Sequence, residues 1–216
     1  MTECEIRPTS EQIREAREQI RKGLKTASGR LSKSEELNVD ICWTSDDFVK
    51  EKMGGASGMC YSANRIEVKF NSSVGGWKEN LIGTAIHEYT HSWFYEQIGG
   101  TTDAEWRYIL DEALTQNMTE MLFPEADEPW RTEHSIDTLA KYWPQIKEEE
   151  LDGDDNEWPD PLFISQGEDG YPNWLGYSLA YRIGKKLLET NKPEDFPGLT
   201  KEDVVQAGDE LFGEDR

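Results

Sequence analysis

Five consecutive residues, His87-Glu88-Tyr89-Thr90-His91, carry the plainest chemical signal in the chain. Histidines four apart on a helix lie one turn above each other on the same face. Their imidazoles can converge on one metal ion, and the glutamate between them can reach the same site. The chain has only three histidines, and two of them sit here at the spacing of a zinc helix. Catalytic zinc commonly takes three protein ligands and leaves one position for water, so a third ligand must come from elsewhere. Glu112, in Leu110-Asp-Glu-Ala-Leu-Thr-Gln116, is the first candidate: a helix returning antiparallel across Gly99-Gly100 would bring it beside the histidines. Two histidines with a glutamate form an established catalytic zinc set. Asp111 competes for the ligand role or could instead orient a histidine from the second layer. His134 is the remaining possibility, although it does not follow the H-E-x-x-H-x-x-G-x-x-H spacing. With zinc in such a set, Glu88 would take the proton of an activated water and pass it to a leaving amine. A developing oxyanion also needs a donor, for which Tyr177, Tyr181 and His134 are the candidates.

The elements that must position these residues can be read from capping and periodicity. Thr9-Ser-Glu-Gln12 is a capping-box pattern, and Ile13, Ala16, Ile20 and Leu24 follow at helical spacing, which predicts a packing helix over about 10–25. Residues 37–43 and 65–70 alternate apolar and polar positions and read as strands, the second well placed to border the site as an exposed edge or to lie inside a sheet. Between them, Met53-Gly-Gly-Ala-Ser-Gly-Met59 reads as a turn or flexible loop and lacks the phosphate-loop pattern. The histidine helix is expected over roughly 78–98, stopped by Gly99 and Gly100. Thr102-Asp-Ala-Glu105 opens another, running to about Phe123. A short helix is expected around Ser135 to Trp143, then a solvated acidic loop from Glu148 to Asp155 that lacks the calcium-hand register. Asn173 is read as the cap of a last core helix with Leu175, Leu179, Ile183 and Leu187 inward, and a final helix follows Thr200.

Length and charge set the outer limits. A chain of 216 residues can bury a sizeable core, and with no internal repeat or dividing linker it reads as a single domain, 1–216. No run approaches eighteen apolar residues, and the first residues lack a basic start followed by an apolar core, so neither a membrane span nor a signal peptide is expected and the default location is cytoplasmic. Cys4, Cys42 and Cys60 are odd in number and lack C-x-x-C spacing, which argues against a disulfide framework or a thiolate zinc site. With 44 acidic residues against 23 basic ones, the net charge of −21 would repel nucleic acid phosphates and anionic membranes. Such self-repulsion suits either a salt-adapted host or an ordinary protein with solvated acidic faces.

Four segments in order resemble a known family: His87-Glu88-x-x-His91; Asp111-Glu112-Ala113-Leu114; Glu128-Pro-Trp130; and Trp174-Leu-Gly-Tyr-Ser-Leu-Ala-Tyr-Arg-Ile-Gly184. They look like the ordered motifs of the predicted zinc-dependent proteases grouped as a domain of unknown function, over roughly residues 65–190. The resemblance implies a gluzincin-like fold with His87, His91 and Glu112 as zinc ligands and Glu88 as catalyst. It also raises Tyr177, placed first as oxyanion donor, and Tyr181 as cleft residues. Ala113 and Ala180 stand where the family usually has glycine; neither replaces a ligand. The resulting expectation is an α+β, zincin-like fold, mostly helical, with a small N-terminal sheet bordering the histidine helix. Its function would be hydrolysis of peptide bonds in a peptide or protein substrate with Zn2+ as cofactor. The alternatives are a catalytically idle zinc-binding interaction module of the same fold and a hydrolase of non-peptide amides.

Overall fold

Thr9 starts the first helix as its spacing predicts: its hydroxyl accepts the Gln12 backbone N–H, while the Gln12 side chain accepts the Thr9 N–H. The computed structural model describes residues 7–102, 104–126, 128–153, 162–163 and 170–213. Cys4, Asp103 of the second capping pattern and the last residues of the expected acidic loop lie outside the described residues. The fold is mixed α and β, mostly helical with one three-stranded sheet. Two compact units divide the chain: Met1–Thr101 with Met118–Glu128, and Thr102–Asn117 with Pro129–Arg216.

The first unit holds α1 (Ser10–Ser28), β1 (Asn38–Trp43), α2 (Asp47–Lys52), β2 (Ala56–Ser62), β3 (Arg65–Phe70) and α3 (Trp77–Ile98). Strand order is β1-β3-β2, with β1 parallel to β3 and β2 antiparallel to it. Alternation in β3 buries Ile66, Val68 and Phe70, which pack with Ala16 and Ile20 of α1 and Trp77, Leu81 and Ala85 of α3. Helices α1 and α3 meet at Gly23, where a Cβ would fall 2.5 Å from the Ile82 carbonyl oxygen. Residues 65–70 therefore occupy the interior of the sheet; β1 and β2 are its edges.

One expectation in this unit fails. Residues 53–59 are only partly a turn. Gly54 and Gly55 adopt φ of +59° and +81°, which only glycine takes readily, and β2 begins at the next residue. Small inward residues, Ala56, Gly58 and Cys60, hide the strand's alternation from a hydrophobicity reading.

The second unit is helical. It contains α4 (Glu105–Leu122) as far as Asn117, then α5 (Ile136–Gln145), α6 (Leu175–Leu187) and α7 (Lys201–Phe212). Ser135 caps α5 by accepting the Thr138 N–H. That helix continues as a π-helical turn, Ile146–Glu150, so the solvated loop expected from Glu148 starts later than its acidity suggests. The cause is apolar: Ile146 and Leu151 are fully buried on either side of the glutamates. Trp143 packs on α7 at Gly208, where a Cβ would overlap the indole, and its Nε1 donates to Asp209 at 2.7 Å. On α6, Leu175, Leu179, Ile183 and Leu187 are buried as their spacing predicts. Asn173 is not its cap; Trp174 holds that position at φ +66° with no side-chain capping bond. No helix among the described residues is long and apolar enough to cross a membrane.

Candidate metal centre

Helix α3 carries His87, Glu88 and His91, and residues 88–95 are buried without a break. A stripe at helical spacing, Tyr89, Ser92, Trp93 and Glu96, fastens the face turned away from the histidines. Tyr89 donates its hydroxyl to the Leu31 carbonyl at 2.8 Å, Ser92 to Ala63 at 2.7 Å, and the Trp93 indole to Ser32 at 3.1 Å. Burial pushes the Tyr89 phenol up to about 12, so it stays a neutral donor. Buried Lys33 donates to the Ser92 carbonyl at 2.8 Å, directly after His91. These bonds set the rotation of α3 about its axis, and with it the direction of both imidazoles.

The two rings lie edge to face with centroids 4.8 Å apart. His91 is 6 % exposed. Glu112 lies on α4 in a run of buried residues from Ile109 to Thr119 that includes Asp111, Thr115, Gln116 and Asn117. Buried polar groups in a helix must find partners, and α6 supplies several. The Gln116 amide donates to the Tyr177 carbonyl at 3.1 Å and reaches Glu112 Oε2 at 3.4 Å. Asn117 donates to the Ala113 and Tyr181 carbonyls at 2.7 and 3.0 Å.

His87, His91 and Glu112 come together as a group able to hold a metal ion. Each offers one ligand atom, and these atoms lie within 4.8 Å of one another. Two imidazoles and a carboxylate, largely shielded from water, match the donor chemistry of a catalytic zinc site with three protein ligands. Asp111 and His134 do not join the group among the described residues. The His134 ring instead meets the Asn173 carbonyl, 2.8 Å from Nε2.

The family profile described as Predicted Zn-dependent protease (DUF2268) matches residues 25–205. The chain belongs to this family. A zinc-dependent family and a His–His–Glu group compatible with zinc agree on the cofactor. No curated protein and no solved structure matches the chain.

Within this family member, one side chain near the histidines escaped the reading of residue spacing. Glu128 places Oε1 3.5 Å from His87 Nδ1, and its side chain is 5 % exposed. At that distance the contact is a close approach rather than a formed hydrogen bond; a carboxylate that closes on an imidazole in this way orients the ring and leaves the other nitrogen for a metal. Its only signal in the sequence is the Glu128-Pro-Trp130 segment, which spacing alone does not connect to a metal site. Tyr177 is half-buried, its ring 5.0 Å from that of Phe163 and 6.3 Å from that of Trp130. Tyr181 is buried beneath Lys185, whose Nζ lies 5.0 Å from the ring centroid.

Proposed function

We propose that the protein is a zinc metallopeptidase of the zincin-like, gluzincin kind, hydrolysing peptide bonds. The convergence of His87, His91 and Glu112 carries this reading, because it joins the two histidines of the H-E-x-x-H helix to the carboxylate placed first to complete them. When bound, zinc supplies Lewis acidity toward the substrate carbonyl and toward water. His87 and His91 would hold it through neutral imidazoles, and Glu128, 3.5 Å from His87 Nδ1, would orient that ring. Glu112 would add the anionic ligand, with the Gln116 amide 3.4 Å from its Oε2. Glu88 accepts a proton from the attacking water at a carboxylate oxygen and delivers it to the departing amine nitrogen. Tyr177, and after it Tyr181, would donate a hydrogen bond to the developing oxyanion.

Metal analysis tests the ligand set. Wild type is expected to retain one zinc per chain, His87→Ala and Glu112→Ala to lose it, and Glu128→Gln to bind it roughly 10-fold more weakly or worse. Retention of stoichiometric zinc by Glu112→Ala would move the third ligand to another residue.

A further inference from the structure

The inward face of β2 lacks a side chain at Gly58, where the Glu88 side chain meets the strand. Gly58 pairs with Val68 of β3, so its Cα substituent would point to the buried face of the sheet, toward α3. A Cβ placed there would lie 2.5 Å from Glu88 Cδ and closer still to Cγ and Oε1, a separation real Cβ atoms do not show. Backbone freedom does not explain this glycine, because Gly58 is not among the residues with positive φ. Nor is a missing side chain general to that face, since Ala56 and Cys60 flank it two residues away on either side. Space for Glu88 is what remains. Glu88 is only 5 % exposed, so its carboxylate cannot swing into solvent to evade an added methyl group.

We propose that Gly58 is a positioning residue for Glu88: by carrying no Cβ, it lets the glutamate lie against the β2 backbone and fixes where the carboxylate oxygens sit beside the two histidines. The catalytic consequence rests on the peptidase reading; the spatial fit does not. A double-mutant cycle on the full chain separates the two, using Gly58→Ala, Glu88→Ala and their combination. Alanine at 88 removes Cγ, Cδ and the carboxylate oxygens, the atoms that an added methyl group would meet.

Gly58→Ala is expected to lower the melting temperature by about 5 °C. It should also cut kcat roughly 100-fold with KM held within about twofold and zinc content unchanged. In the Glu88→Ala background the same change should cost less than about half that melting shift and no further kcat. Equal melting losses in the two backgrounds, or a Gly58→Ala enzyme with wild-type kcat, would overturn the proposal. Coupled melting losses in a protein that cleaves no peptide would uphold the fit of Gly58 to Glu88 and overturn the peptidase reading instead.

Discussion

Glu96 decides how firmly α3 is held from behind its histidines. Its carboxylate accepts the backbone N–H groups of Ser34 and Glu35 at 2.8 Å each, accepts the Ser34 hydroxyl, and faces Lys33 Nζ at 3.7 Å. Burial alone would raise its pKa, but these hydrogen bonds and the Lys33 charge outweigh burial and hold it below the usual carboxylate range. The same burial keeps the Lys33 ammonium below its ordinary pKa, against the pull of Glu96. A carboxylate with a depressed folded pKa gives stability that is present above its unfolded value and lost as pH falls through the folded one. Glu96→Gln is therefore expected to lose about 2 kcal/mol at neutral pH, with the gap to wild type closing in acid. Denaturant unfolding across that range would measure it, and a gap that ignored pH would contradict the assignment. At this scale the sequence is uneven in what it reveals. His87, His91 and Glu88 announce themselves by spacing, because one helix turn imposes their relation. Glu128 and the Gly58 contact depend on where separate segments meet, which no local pattern encodes.

Elements that cross closely depend on the residues at the crossing. Gly184 of α6 approaches α4 so nearly that a Cβ would overlap the Ala113 carbonyl oxygen and the Asn117 amide. Both groups are already committed, since that amide donates to the Ala113 and Tyr181 carbonyls. Gly184→Ala is expected to cost roughly 2 kcal/mol in urea unfolding. Gly100→Ala, with no atom within 4 Å of its Cβ position and no positive φ, should be nearly neutral. Equal costs would mean that the crossing does not govern the loss at Gly184. Helices were legible wherever caps and periodicity agreed, as for α1 and α5. Strand β2 was not, because Gly54 and Gly55 announce a turn and the inward residues that follow are too small to register as a buried face. The start of α6 was not either: Trp174 takes a left-handed conformation that its residue type disfavours, so Asn173 looked the better cap. For α4, the apolar positions were visible and Glu112 and Asp111 stood as ligand candidates, but the burial of Thr115, Gln116 and Asn117 on the same helix was not legible. Uncharged polar side chains with no spacing signal read as solvated until their surroundings are known.

At the scale of the whole molecule, 44 acidic residues against 23 basic ones leave a net charge of −21. Repulsion of that size opposes compaction at low ionic strength, and the screening length falls to about 3 Å at molar salt. A salt-adapted protein predicts a melting temperature that rises between low salt and molar KCl; an unchanged or falling value would favour an ordinary protein with solvated acidic faces. The family match and the His–His–Glu group bear on the cofactor, while turnover rests on Glu88. The most direct test of the account is cleavage of a peptide library by zinc-loaded wild type beside Glu88→Gln. Wild type is expected to cleave, and the variant to bind zinc equally but turn over at least about 100-fold more slowly. No cleavage by wild type, or equal cleavage by both, would contradict the claim that this is a metallopeptidase using Glu88 as its base.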